Sequence, residues 1–249
     1  MKPGDGAPVD WLALPSFPGA KLPSRLSPCT EKFATPPYAI KSRIWLIAMT
    51  QKARIIKRVV DTVGASVLLV VLAPLIAVCA LLIKLQDGGP VFHRRRVVGP
   101  NGEFDAFKLR TMCPRADDIL QREPTLRREF ELNSKLRNDP RITPFGAFLR
   151  KLSLDECPQL WNVLRGEMSL VGPRMITADE LKRYGEAGWI FRATKPGLTG
   201  FWQVQGRQEV PFEQRVQMDL FYVQNWSLRL DCEILLRTPL VVLRGVGAY

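Results

Sequence analysis

The chain has 249 residues, 46% of them apolar, and a mean hydropathy of −0.04, values ordinary for a globular protein of one large or two small domains with a real core. Lysine and arginine outnumber aspartate and glutamate 36 to 24, giving a net charge of +12 and a pI near 9.8, which points to polyanionic partners: nucleic acid, an anionic membrane surface or phosphate-bearing substrates. Five scattered cysteines without a Cys-x-x-Cys pair, and a single histidine, His93, argue against a disulfide framework or a zinc site and suit a reducing cytoplasm.

Residues 1–43 carry eight prolines and no apolar periodicity, which predicts a disordered or loosely attached tail; a docking segment is the alternative. No cleavable signal is expected, since the first long apolar run begins near residue 59. The segment 44–84 reads as membrane-associated. Within it, Thr62 to Ile83 runs 22 residues without a charge, enough for a span of ~20 apolar residues. Pro74 lies in its middle, however, and predicts a break into pieces of roughly 18 and 13 Å, each short of a ~30 Å hydrocarbon core. Both flanks are basic (Lys52, Arg54, Lys57 and Arg58 before; Lys84, Arg94, Arg95 and Arg96 after), which marks both ends as cytoplasmic. A re-entrant hairpin over 62–83 satisfies both observations; a kinked single span and a buried core helix are the alternatives.

From residue 85 the chain reads as a soluble domain reaching to 249. Gly88-Gly89-Pro90 is a turn, and Val91-Phe92 with Phe104–Leu109 predicts a small β-hairpin around Pro100-Asn101-Gly102. Residues 115–137 look helical with an interruption at Pro124; helices are expected over 146–152 and 156–165 on either side of a polar hinge. Apolar residues at 212, 216, 220 and 223 form a helical stripe in 212–225. In 228–244 Arg229, Arg237 and Arg244 fall near one face, as in a helix lying on a membrane or in one packed on the core with a solvated basic edge. The expected fold class is α+β, mainly α.

The candidate chemistry centres on Arg150-Lys151-Leu152-Ser153-Leu154-Asp155-Glu156. Ser153 and Glu156 fit a capping box, which leaves Asp155 unexplained. A carboxylate in a first helical turn is held ionised by the dipole, the state that a nucleophile or a metal ligand needs. Basic residues recur beside glycines and polar residues: Lys108 and Arg110 in FKLRTM, Arg150, Arg174 in SLVGPRM, Lys195 in KPGLTG and Arg207 in QGR. Glycines let a backbone approach phosphates while guanidinium groups clamp them, and adjacent carboxylates can hold Mg²⁺ through hard oxygens. No Walker loop, dinucleotide fingerprint or nucleic-acid motif is present, so a non-catalytic basic membrane adaptor is the weaker alternative and nucleic acid is not an expected partner.

From about Lys57 onward, the stretches KRVVD, GGPVFHRRRVVGPNGEFDAFKLRTM, NDPRITPFGAFLRKLSLDECPQLWNVLRGEMSLVGPR, KPGLTGFWQVQGR and DLFYVQNWSLRLD resemble the bacterial sugar transferases, the monotopic polyprenyl-phosphate phosphoglycosyl transferases. The likeness is to the branch that starts exopolysaccharide repeat units with galactose-1-phosphate. The resemblance implies that Asp155 attacks the sugar-linked phosphate of a UDP-sugar, releasing UMP, and that undecaprenyl phosphate then takes the phosphosugar. It implies that Glu156, with Asp155, helps bind Mg²⁺, that Arg150, Arg174 and Arg207, and less strongly Lys108 and Arg110, lie near the phosphates, and that Pro74 is the helix-breaking proline. It implies a bacterial inner-membrane protein on the cytoplasmic face, with membrane lipid and exopolysaccharide assembly proteins as partners and room for a homodimer. Glucose or an N-acetylhexosamine is the alternative sugar. The chain departs from the family pattern at Ala73 (often Ser), Cys157 (Leu), Met175 (Pro) and His93 (Gln or Arg), where His93 reads as a spectator.

Overall fold

A computed structural model describes residues 51–133, 136, 139–205 and 210–244; the Pro-rich stretch 1–43 and Arg207 lie outside the described residues. In chain order the elements are α1 (Gln51–Asp87), β1 (Phe92–Gly99), β2 (Gly102–Leu109), α2 (Ala116–Arg122), α3 (Pro124–Asn133), α4 (Pro144–Lys151), a 3₁₀ turn (Leu154–Glu156), α5 (Gln159–Arg165), β3 (Ser169–Val171), α6 (Ala178–Tyr184), a second 3₁₀ turn (Gly185–Trp189), α7 (Ile190–Ala193), β4 (Gly197–Thr199), α8 (Phe212–Gln224) and α9 (Leu228–Arg244).

α1 is a single 37-residue helix that continues through Pro74, where the sequence predicted a break. Proline removes one backbone hydrogen bond and crowds one carbonyl. In an apolar segment the neighbouring groups have no water to turn to, so the rest of the ladder holds. The helix is long and apolar enough to cross a membrane. Val67, Val70, Val71, Val78 and Leu81 stand exposed along it, while Ala65, Cys79 and Ile83 are buried.

Both ends of α1 dock on the same folded body formed by the residues that follow it. Near its start, Lys57 donates to Asp231 (2.6 Å) and to the Val171 carbonyl (3.1 Å). Asp61 accepts from the Ser169 hydroxyl (2.9 Å) and the Leu170 N–H (3.0 Å). Arg58 donates to the carbonyls of Val163 (2.6 Å) and Leu164 (2.7 Å), satisfying the open C-terminal end of α5 with a cation. Near its far end, Cys79 and Ile83 pack with Leu109 and Leu149, flanked by Phe145 and Leu154.

β1 and β2 form an antiparallel hairpin with Phe92 opposite Leu109, His93 opposite Lys108 and Gly99 opposite Gly102. It is longer than the sequence predicted, because the run His93–Arg96 hid the alternation: Arg96 faces solvent and pairs with Glu103 and Asp105, while Val97 and Ala106 are fully buried. Pro124 opens α3 at its first position, where a missing N–H is harmless. A second sheet, two parallel three-residue strands pairing Ser169 with Gly197 and Val171 with Thr199, was not anticipated. It forms because Gly172 and Gly197 touch backbone to backbone, and a Cβ on either would collide with the other. The glycine of KPGLTG therefore serves strand pairing in this fold.

Asn162, fully buried on α5, clips the hairpin down. Its Oδ1 accepts from the Phe107 N–H (3.1 Å), and its Nδ2 donates to the Asp105 carbonyl (2.8 Å) and to Glu167 (2.7 Å). Asn162→Ala orphans these groups and opens a small void, so we expect it to destabilise the domain by about 3 kcal/mol. A thermal melt of the purified variant should show a midpoint lower by roughly 6–12 °C; an unchanged midpoint refutes the clip.

Towards the C-terminus, the buried face of α8 is Asp219, Tyr222 and Val223, so the apolar stripe at 212, 216, 220 and 223 covers only part of it. Asp219 is inside because Tyr184 supplies a hydrogen bond (3.1 Å). On α9, Leu230, Asp231 and Ile234 are buried, and Leu236, Leu240 and Leu243 form an exposed stripe; Arg229 is exposed and pairs with Glu233.

Candidate active site

α4 ends at Leu152, and Ser153 adopts a left-handed conformation (φ 54°) that turns the chain into the short Leu154–Glu156 helix. Non-glycine residues rarely adopt this conformation, and it carries strain of order 1 kcal/mol. The Ser153 side chain makes no cap bond, so the S-x-x-E pattern is not a capping box here. Glu156 turns instead to Lys108 on β2, at 2.6 Å, and to Arg174, at 3.4 Å. The same Lys108 ammonium stands 3.7 Å from Asp155. One lysine thus bridges two adjacent carboxylates whose side chains are only 11% and 15% exposed.

The pair is electrostatically split. Burial pushes Glu156 up, but Lys108 and Arg174, with help from Arg95, outweigh it and hold the carboxyl down at about 2. Asp155 moves the other way: burial raises it, and Lys108, Arg150 and Arg174 offset this only in part against the charge of Glu156. The dipole reading for Asp155 is therefore corrected, since a three-residue 3₁₀ turn supplies little field and desolvation dominates. Burial, then the charges of Asp155 and Glu156, push the Cys157 thiol up to about 11, so it stays protonated beside them. Two adjacent acids shifted in opposite directions, with Lys108, Arg150 and Arg174 around them, make this cluster the candidate active site.

The bacterial sugar transferase family model matches residues 52–245. The chain belongs to the bacterial sugar transferase family. It is 46% identical over 198 residues to the exopolysaccharide production protein ExoY of Rhizobium meliloti, covering 78% of this chain and 88% of that one. It is 44% identical over 204 residues to the undecaprenyl-phosphate galactose phosphotransferase of Salmonella typhimurium, covering 80% of this chain and 43% of that longer one. A UDP-glucose:undecaprenyl-phosphate glucose-1-phosphate transferase of Caulobacter vibrioides is 41% identical over 205 residues, or 78% and 72% of the two chains.

In this transferase Lys108, Arg174 and Arg150 converge on the carboxylates, with Arg150 steadied by the Thr111 hydroxyl (2.9 Å). Arg110 is placed differently: its guanidinium pairs with Asp87 and ties the foot of α1 to the end of β2. Lys195 sits beside Arg58 and Lys57 at the start of α1. Arg95 was missed by the sequence reading, although strand parity marks it, because residues 93 and 95 share the face of Lys108 in the hairpin register. Behind Arg174 lies a support that no local pattern announces. Trp202 is stacked by both Arg174 (5.7 Å) and Arg215 (4.8 Å). Asp219, which burial lifts to about 8, takes hydrogen bonds from Tyr184 and the Arg174 backbone. The buried Gln159 Nε2, Trp202 Nε1 and Gln203 Oε1 make no hydrogen bond among the described residues.

Among the described residues no three His, Cys, Asp or Glu side chains group to hold a metal on their own. Asp155 and Glu156 do fit Mg²⁺, which needs only one or two carboxylates when substrate phosphates complete its shell.

Proposed function

We propose that the enzyme transfers a hexose-1-phosphate, galactose-1-phosphate by preference, from a UDP-sugar to undecaprenyl phosphate at the cytoplasmic face of the bacterial inner membrane, as the first step of exopolysaccharide repeat-unit assembly. The observation that carries this reading is the lysine-bridged carboxylate pair beside Arg150 and Arg174. An Asp155 oxygen attacks the sugar-linked phosphorus and the bond to UMP breaks, leaving the phosphosugar on the carboxylate. A phosphate oxygen of the carrier then attacks the same phosphorus and releases Asp155. Lys108, Arg150 and Arg174 neutralise charge that spreads over the phosphoryl oxygens in both steps. Mg²⁺ on Asp155 and Glu156 would neutralise the diphosphate and the departing UMP. The test is mass spectrometry of protein incubated with UDP-galactose and Mg²⁺. The expected result is free UMP and one hexose-phosphate on the Asp155 peptide; UMP release with no adduct on that peptide overturns the covalent route. The likeness to a glucose-1-phosphate transferase supports glucose as a second reading, and a panel of UDP-sugars separates the two.

The re-entrant disposition of α1 belongs to the same proposal. It is supported by the docking of both ends of the helix, through Arg58 and Asp61 and through Cys79 and Ile83, on a domain that can occupy one side of a bilayer only. The exposed stripe of Leu236, Leu240 and Leu243 on α9 supplies a further apolar surface for lipid contact. With the native cysteines replaced, Lys52→Cys and Leu85→Cys should both react with a membrane-impermeant maleimide in inside-out vesicles and in neither case in right-side-out ones. Labelling from opposite sides establishes a span.

A further inference from the structure

A cavity of about 500 Å³ opens where the start of α1 meets the soluble domain. Its walls include Ile55, Val59, Val171, Val223 and Trp226, and Lys195 stands among them. Ile55 and Val59 are more than half exposed and continue into the apolar face of α1, so the mouth is contiguous with the surface that would meet lipid in the proposed placement. The basic groups at this mouth are unequally engaged. Lys57 is paired with Asp231, and Arg58 is bound to two carbonyls with guanidinium donors to spare. Lys195 has no ion pair among the described residues. Its Nζ and the Arg58 Nη2 lie within 3.6 Å of the point where a Cβ on Gly166 would stand, so two cations share one small space. Asp61, the acid that acts on Lys195, spends one oxygen on Ser169 and Leu170. Burial, Arg58 and Lys57 all work against the charge on Lys195. A bound anion relieves this repulsion, and an apolar cavity behind it accepts a chain.

We propose that this cavity binds one anionic phospholipid of the surrounding bilayer, its phosphate on Lys195 and Arg58 and an acyl chain against Val59, Val171 and Val223. The inference rests on the membrane placement proposed above. The polyprenyl carrier is the wrong occupant, because its phosphate must reach Asp155. That residue precedes α5, whereas Arg58 holds the opposite end of the helix, and the cavity shares no wall with Lys108, Asp155, Glu156 or Arg174.

The experiment is native mass spectrometry of the full chain in detergent with dioleoyl phosphatidylglycerol as the probe and dioleoyl phosphatidylcholine as the comparison. We expect one retained phosphatidylglycerol per chain, bound about tenfold more tightly than phosphatidylcholine, the size of effect that one charge-assisted contact gives. Lys195→Gln should weaken retention about tenfold. So should Ala193→Trp, which fills the mouth from an exposed position. Lys182→Gln, which removes a remote surface charge, should leave it unchanged. Equal retention in all four proteins, or displacement of phosphatidylglycerol by undecaprenyl phosphate, overturns the proposal. UMP release by the wild-type sample is read in parallel. Release without site-specific lipid refutes this inference alone, and specific lipid without release refutes the enzymatic reading alone.

Discussion

Asp155→Asn is expected to lower UMP release by at least about 10³-fold while the protein folds as before. The amide keeps the shape of the carboxylate but has no electron pair basic enough to displace UMP. The fold survives because of the sign of the shift at this position. Burial raises the Asp155 carboxyl above its ordinary value. A group shifted that way contributes stability below its unfolded value and loses it as pH rises through its folded one, so at neutral pH the ionised form is a burden. Replacing it with a neutral isostere should leave the melting midpoint unchanged or higher at pH values where the wild-type carboxyl is ionised. Loss of activity with an intact or raised midpoint places Asp155 in the chemistry, and the hexose-phosphate adduct on its peptide separates a nucleophile from a metal ligand. Residual turnover within tenfold of wild type removes Asp155 from that role.

Lys108→Met should cost about 10²-fold in UMP release, about 2.7 kcal/mol in the barrier, and should also reshape the pH profile. The lysine sits 2.6 Å from Glu156 and 3.7 Å from Asp155, largely out of water, where a unit charge is worth a few kcal/mol. With it in place Glu156 titrates at about 2, a depressed value whose stabilisation is present above the ordinary carboxylate range and disappears as pH falls towards 2. Without it both carboxyls move upward. The acid limb of the rate profile, which reports ionised Asp155, should therefore shift to higher pH. A profile that falls in amplitude but keeps its acid limb assigns Lys108 to substrate contact alone.

Much of the architecture was legible because it is written in local patterns. The charge-free run 62–83 had to be apolar and helical, though a break was expected within it, Pro124 had to divide the charged segment 115–137, and Pro100-Asn101-Gly102 had to turn a hairpin. What escaped is tertiary. The ladder of α1 persists through Pro74, because the penalty for proline depends on what else the backbone could bond to. Ser153-x-x-Glu156 has the spelling of a capping box, yet an ammonium 48 positions away outbids the backbone for Glu156. Asp219 falls on a helix face that its own neighbours mark as polar, and its burial is made tolerable by distant groups, Tyr184 and Arg174, far upstream. The candidate site was legible in its acids and in three of its bases. Arg95 required strand parity to see, and Arg110 and Lys195 were drawn in by context although they serve other places.

α5 is one short rod, about 10 Å from end to end, gripped at its tail by α1 and preceded within four residues by Asp155, the proposed nucleophile. The protein therefore carries its own depth gauge. With α1 in the bilayer as proposed, the height of Asp155 above the lipid is measured from Arg58 by protein alone, so bilayers of different thickness move the two together and leave their spacing untouched.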